Sequence, residues 1–593
     1  MKTTVILLTS AWLLWSLPSQ AQTLAPVNPK FIRHIETLKA KSSGTKSVCY
    51  RSLGYAPAPL DLSHLAGSRL RGAAKSFAAS YDLRGQDKLT PVKNQGSYGT
   101  CWSFATYGSL ESCLLPSATN DFSENNMVNL HGFDNGVDDG GNAYMSTAYL
   151  TRWAGPVNES DDPYPNIGGS PAGLPVRRHI QNVEFIPDRS GATDNDNIKQ
   201  TIVDYGALLT SLCWDDAYYR SAAASYYYNG SEDANHAVAI VGWDDNYSKA
   251  NFATQPPGNG AFIIKNSWGT AWGENGYCYV SYYDSGIGLN NTVFLDAETT
   301  NNYGAVYQYD PLGWVGSCGY DETTAWCANI FTATESAALS AVGFYAAAAD
   351  ASYQFYVYTG VSAGQPRSGT PAITQSGTLS AAGYYTIPLV ASVGIGVGQK
   401  FSVVVKLTTP GYGYPIPVEY AYAGYSSAAA ASTGQSFLSY DGSYWEDALD
   451  VDSTMNVCIK AYASASSASV DPELFINDSV SSPAALKLGE QLSVTITLDT
   501  DSAHAADWWL LVHTPSAGWY YYNAYYHSWY AGLSVSYQGV LFNISVPFEA
   551  LNMNTASLQA GTYDFYFGVD LSQNGQIDEN TLCYKHAALE IVE

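Results

Sequence analysis

Gln95, Cys101, His236 and Asn266 have the types and spacing that amide cleavage by a thiol requires. A thiol attacks an amide only as thiolate, so its pKa must fall from about 8.5 toward neutrality, and an imidazolium or a helix N-terminus is the usual means. Both are available to Cys101. The stretch from Cys101 to Leu115 has no proline, ends just before Pro116 and follows Thr100, an acceptable N-cap, which predicts a helix with the thiol in its first turn. His236, in Asn235-His-Ala-Val-Ala239, can take the thiol proton and return it to the leaving amine. Asn266 can accept a hydrogen bond from the other imidazole nitrogen, fixing tautomer and ring orientation without adding charge. Gln95 can aim its side-chain N–H at the tetrahedral oxygen alongside the Cys101 backbone N–H, a contact worth about 3–4 kcal/mol of barrier. Singly, a Cys in an apolar helix or a His before Ala-Val-Ala is ordinary packing; their conjunction points to chemistry.

These residues sit in Pro91-Val-Lys-Asn-Gln-Gly-Ser-Tyr-Gly-Thr-Cys-Trp102 and Lys265-Asn-Ser-Trp-Gly-Thr-Ala-Trp-Gly273, and together with the His segment the region from Tyr81 to Asp284 resembles the papain-like cysteine peptidases. The resemblance implies an α+β papain-like catalytic domain with a helical half and a β-barrel-like half. It also implies Cys101 as nucleophile, His236 as base, Asn266 as orienting residue and Gln95 in the oxyanion hole. Trp268 would shield the His–Asn pair, and Gly140-Gly141 would line the substrate cleft; these three form the expected substrate-binding set. No metal or organic cofactor is implied. Two departures stand out. The family's cysteine three before the nucleophile, and its partner just before the Gly-Gly, are here Tyr98 and Asp138-Asp139, so a structural staple is missing. The connection from Asn246 to Gly260 is longer than the family minimum and is expected to be a surface loop near the cleft rim.

The elements that must position the site belong to a chain of 593 residues, too long for one core. Residues 1–21 read as a signal peptide, with Lys2, an apolar Val5–Leu17 core and a Ser19-Gln-Ala21 cleavage site. Export follows, to an extracellular, periplasmic or cell-surface location, and no later run is apolar enough to span a membrane. A net charge of −26 argues against nucleic acid and anionic membranes as partners. Nine cysteines in an exported chain suggest disulfides, with Cys101 left over and Cys318–Cys327 the first pair to expect; Cys49 is as plausible free as bridged. Residues 22–80 read as a propeptide or linker, with a helix over Lys30–Lys41 and an extended Gly54-Tyr-Ala-Pro-Ala-Pro-Leu60. The catalytic domain is placed at 81–298.

Two all-β sandwich domains are expected to follow, at 299–465 and 466–593. Runs such as Tyr353–Tyr358 and Phe401–Lys406 alternate between turn signals, and Tyr303–Ala463 resembles the lectin-like β-sandwich that accompanies papain-like peptidases in bacterial secreted proteins. Tyr320, Trp326, Tyr412, Tyr414 and Trp445, read as exposed, make carbohydrate a candidate ligand, against the plainer reading of strand packing. In the last domain strands are expected at Leu492–Leu498, Trp508–Val512, Leu541–Val546 and Thr562–Val569. The Tyr-rich Gly518–His527 reads as a packed or edge strand, with a binding face as the rival. Asp570-Leu-Ser-Gln-Asn-Gly-Gln-Ile-Asp578 places oxygen donors as a calcium loop does but has Thr581 where a bidentate Glu belongs, so an Asn-Gly turn is the better reading.

The whole reads as a secreted cysteine endopeptidase acting on proteins or peptides through an acyl-thioester. The rival is a surface adhesin or carbohydrate-binding protein on an inactive peptidase scaffold. An aminopeptidase or transpeptidase stays open.

Overall fold

The computed structural model describes residues 21–42, 53–70, 76–166, 168–465, 470–479, 484–500, 505–516, 518–571, 573–578 and 582–593. The signal-peptide reading and Cys49 fall outside them. Five α-helices are present among these residues: α1 (Pro29–Ser42), α2 (Cys101–Leu114), α3 (Glu124–Leu130), α4 (Ala143–Thr151) and α5 (Asp196–Asp204). The chain divides into two compact units, residues 1–464 and 465–593.

Helix α2 is the spine of the first unit. Twelve of its fourteen residues are buried, and apart from Glu111 it is apolar or hydroxylic on every side rather than amphipathic. Three of its hydroxyl residues, Ser103, Thr106 and Ser112, bond inside: Thr106 Oγ1 donates to the Trp102 carbonyl, and Thr106 and Ser146 share a hydrogen bond of 2.7 Å. Leu115 leaves the helix in extended conformation, as a residue before proline must. Thr100 occupies the N-cap position without capping; its Oγ1 bonds instead to the Tyr164 hydroxyl at 2.9 Å.

Against α2 lies the strand His236–Asp244, buried along nearly its whole length because both faces are covered. Its antiparallel neighbours are Leu208–Leu212 (His236 opposite Leu212) and Ala261–Lys265 (Ala239 opposite Lys265). Lysines close to Gln95 and Asn266 reach the helical side. Lys93 binds Glu124 at 3.0 Å and Asp121 at 2.7 Å, and Lys265 donates to the Thr90 carbonyl at 2.8 Å. Glu111 of α2 accepts from Thr90 and from the Phe122 N–H.

The expected boundary near 298 is not a break between separate bodies. Strand His179–Ile186 pairs on one side with Leu289–Glu298 and on the other with Ala382–Ile395, so one thirteen-stranded sheet runs through both regions. A six-stranded sheet carrying Thr324–Thr332, Ala351–Thr359 and Lys400–Thr408 packs over the 299–465 part and encloses Phe355, Val403 and Phe401. On strand Ile459–Ala465 of the thirteen-stranded sheet, Lys460 forms a fully buried pair with Asp310 at 2.8 Å.

Two expectations here are corrected. Among the described residues no two cysteines are bridged; Cys318 and Cys327 lie on strands of different sheets, each packed into the core as a small apolar side chain. None of Tyr320, Trp326, Tyr412, Tyr414 and Trp445 is exposed: Tyr320 is buried, Trp326 stacks on Tyr356 beneath Arg367, and Tyr412 stacks on His64. The packing reading of these aromatics holds. Asn246–Gly260 is a surface loop with one short helical turn, anchored by buried Phe252.

The second unit has two sheets around Leu474, Ile496, Leu510, Phe565 and Leu589. Strands Gln491–Thr500, Ala505–Thr514 and Gly561–Asp570 contain three of the four expected ones; Leu541–Asn543 lies outside the strand that begins at Ile544. Gly518–Asn523 is a strand, and Tyr525 and Tyr526 beyond it are exposed. Asp570 accepts the Asp578 N–H and Asp507 accepts the Gly575 N–H, which closes a turn. Among the described residues no cluster of three His, Cys, Asp or Glu could hold a metal ion.

Candidate active site

The register of the sheet and the start of α2 bring Cys101, His236, Asn266 and Gln95 together, all buried. The Ala237 N–H donates to Cys101 Sγ at 3.2 Å, which stands residue 236 beside the thiol. His236 Nε2 lies 2.8 Å from Asn266 Oδ1, and that oxygen also accepts the Ser267 N–H at 2.8 Å. The second contact fixes the amide orientation, so Nε2 must carry the hydrogen and Nδ1 keeps its lone pair. Nδ1 has no hydrogen-bond partner and is free to receive a proton. Trp268 stacks over the imidazole, 4.8 Å between centroids at 22°, and is itself flanked edge-on by Trp214 and Trp272 at 5.0 Å. The shield keeps water from the His–Asn bond.

Gln95 is aimed by two residues that sequence reasoning did not single out. Ser267 donates to Gln95 Oε1 at 2.6 Å, turning Nε2 outward, and the Tyr164 hydroxyl donates to the Gln95 carbonyl at 2.7 Å. Ser267 was readable from its place between Asn266 and Trp268; Tyr164 has no local pattern. Where the family's staple is missing, the Asp138 carboxylate accepts the Gly99 N–H at 3.1 Å and ties the same two loops. Gly141 has to be glycine, because a Cβ there would stand 2.5 Å from the Trp102 ring.

The cleft is occupied by the chain's own Leu53–Ala56. Gln95 Nε2 donates to the Leu53 carbonyl at 2.9 Å. The Leu53 and Tyr55 N–H groups donate to the Asn235 carbonyl, the Ala56 N–H to Gly141, and the Gly141 N–H to the Gly54 carbonyl. Gly54 has φ +118°, and a Cβ on it would lie 2.4–2.6 Å from the Gly99 and Thr100 backbone, so only glycine passes the start of α2 this closely. Leu53 faces a cavity of about 560 Å³ walled by Trp214, Trp268, Trp272, Asp215, Asp216 and Glu232.

The segment before it is tied down at several points. Asn28 Nδ2 donates to the Ala58 and Leu60 carbonyls, and Arg33 pairs with Asp233 at 2.7 Å. Phe31 of α1 packs edge-on against Tyr422 and Tyr425, and Thr23–Leu24 adds a strand to Gly316–Gly319. Under this cover, burial pushes the Cys101 thiol up to about 12 and the His236 imidazole down to about 4, so the pair is neutral.

This geometry agrees with what comparison finds: residues 77–296 match the papain family cysteine proteases. The region is a papain-family domain. A lectin-like domain follows it at residues 306–463. The papain-family domain is 32% identical over 240 residues to the probable cysteine protease RD19B of Arabidopsis thaliana, covering 38% of this chain and 64% of that one. It is 31% identical over 214 residues to the viral cathepsin of Spodoptera litura multicapsid nucleopolyhedrovirus, covering 35% and 58%. The chain thus spans about three-fifths of the length of these cysteine-type peptidases. The crystal structure of the cysteine protease and lectin-like domains of Cwp84, a surface layer associated protein of Clostridium difficile, aligns over 75% of this chain and 98% of that one. Its TM-score is 0.63, at 26% identity. Among the described residues no helix is long and apolar enough to cross a membrane.

Proposed function

We propose that this chain is an exported cysteine endopeptidase made as a precursor with residues 22–80 as its propeptide, of which Leu53–Ala56 cover the cleft. The reading is carried by the Leu53 carbonyl held on Gln95 beside Cys101, which marks that spot as the acceptor for a substrate oxygen. In the uncovered enzyme the α2 N-terminus and a protonated His236 favour the Cys101 thiolate. The thiolate attacks the scissile carbonyl, the oxyanion is received by Gln95, and His236 passes its proton to the leaving amine, giving an acyl-thioester that water then hydrolyses.

In the precursor the cover blocks the cleft and also keeps thiol and imidazole neutral. It runs in the unproductive direction. His236 and Trp268 mark the leaving-group side and Gly141 the acyl side, so Leu53 to Tyr55 passes from leaving group to acyl, opposite to a substrate. Protein or peptide chains are the substrates, and the place of work is outside the cytoplasm, at or beyond the cell surface. Carbohydrate stays a candidate ligand of the lectin-like region, through groups other than exposed aromatics, since the five read for it are buried or half-buried.

Digestion of a peptide library by the matured protein beside its Cys101→Ala form tests this. Products made only by the first are expected, and equal product patterns would overturn the reading.

A further inference from the structure

The two donors assigned to the oxyanion sit at opposite ends of one short loop. Gln95 opens it, and Cys101, whose backbone N–H is the second donor, follows directly after Thr100 closes it. The Gln95 side chain is oriented by Ser267 on Oε1 and by the Tyr98 carbonyl, which accepts from Nε2 at 2.8 Å. Neither contact sets how far Gln95 stands from the start of α2. The loop carries Tyr98 where the papain family's structural cysteine belongs, so that distance rests on noncovalent contacts.

One side chain bridges both ends. The Tyr164 hydroxyl donates to the Gln95 carbonyl at 2.7 Å and lies 2.9 Å from Thr100 Oγ1. A phenol has one hydrogen and a carbonyl only accepts, so the Thr100 hydroxyl is the donor in the second bond. The Tyr164 ring meets Phe104, in the first turn of α2, edge-on at 5.0 Å. The loop that bears Tyr164 is itself anchored. The buried Asp162 carboxylate accepts from Asn125 and Asn126 of α3 and from Ser170, and the Tyr164 N–H donates to Glu159 at 2.8 Å. The hydroxyl is thus a point fixed to α3, against which both ends of the oxyanion loop are set.

We propose that Tyr164 is a positioning residue of the oxyanion hole, its hydroxyl setting the spacing between Gln95 Nε2 and the Cys101 N–H. The proposal rests on the peptidase reading. Donors aimed at a developing charge act only when held within about 0.5 Å of the productive geometry. The oxyanion exists only after attack, so a loosened spacing weakens the chemical step and spares substrate binding.

The test uses the matured full chain and one internally quenched peptide. Tyr164→Phe keeps the ring on Phe104 and loses only the hydroxyl; kcat is expected to fall about 10- to 30-fold with KM within twofold, inside the range two neutral hydrogen bonds supply. Thr100→Val, which breaks the other end of the bridge, is expected to lower kcat about three- to tenfold in the same way. Alkylation of Cys101 by iodoacetamide forms no oxyanion; its rate is expected to stay within twofold, and its extent counts the folded molecules. In Gln95→Ala, where one of the two donors is already gone, adding Tyr164→Phe is expected to lower kcat less than threefold. The proposal is overturned, and the peptidase reading left standing, by a Tyr164→Phe kcat within threefold of the parent, a KM or alkylation rate changed more than twofold, or a threefold or larger drop in Gln95→Ala. A parent chain that does not cleave peptides overturns both.

Discussion

Replacing Gly54 by alanine should release the cleft segment. At φ +118° a non-glycine residue carries strain of about 1–3 kcal/mol. The new Cβ would also stand 2.4 Å from Gly99 C and 2.6 Å from Thr100 N, backbone atoms at the start of α2 that have nowhere to go. Against this stand five hydrogen bonds, from Gln95, to Asn235 twice, and to and from Gly141, each worth about 0.5–1.5 kcal/mol net. The penalty is thus comparable to what holds the segment. A loss of about 3 kcal/mol raises the open fraction about a hundredfold. The measurement is hydrogen exchange at the Leu53, Tyr55 and Ala56 amides in a Cys101→Ala background, which lacks the thiol. Protection there should fall about a hundredfold, while the strand His236–Asp244 keeps its protection and reports an intact fold. Protection at 53–56 within threefold of the parent would refute the reasoning.

In the matured enzyme Gln95→Ala should lower kcat by about 100- to 1000-fold with KM little changed, because the lost donor acts on the oxyanion; a drop below tenfold in steady-state kinetics contradicts that role. In the uncleaved chain, alkylation of Cys101 should accelerate about tenfold per pH unit from pH 6 to 9. A thiol pushed up to about 12 yields thiolate only in proportion to hydroxide across that window, so a plateau in rate would show that the thiol is not held up by burial. Lys460→Met strands Asp310 in the core and should cost about 3–5 kcal/mol, read as a lowered midpoint in denaturant, with part of the loss recovered when Asp310→Leu is added.

Legibility followed the range of the cause. Helix α1 and helix α2 were expected within a residue or so of where they lie, because proline placement and residue propensity act locally, although Thr100 does not cap α2. The alternation of Tyr353–Tyr358 and Phe401–Lys406 likewise marked real strands. Cysteine number misled, since whether two thiols bridge depends on strands that meet only after folding, and Cys318 and Cys327 ended in different sheets. The aromatics misled for the same reason: burial of Tyr320 is decided by Gln22 and neighbouring strands far away in sequence.

The sequence by itself determined the chemistry available to this protein. A thiol, an imidazole and two amides in motifs of that order can be recognised without coordinates, because reactivity belongs to side-chain types and close neighbours. Only the tertiary structure decided the state of that chemistry. It joined the papain-family and lectin-like regions through strand His179–Ile186 and Ala382–Ile395, aimed Gln95 with Ser267 and Tyr164, and laid Leu53–Ala56 across the nucleophile. These contacts join residues between 42 and more than 200 positions apart, and no local pattern encodes them. Burial and hydrogen bonding act through space, so the neutral, covered condition of Cys101 and His236 is a property of the fold and not of the motifs.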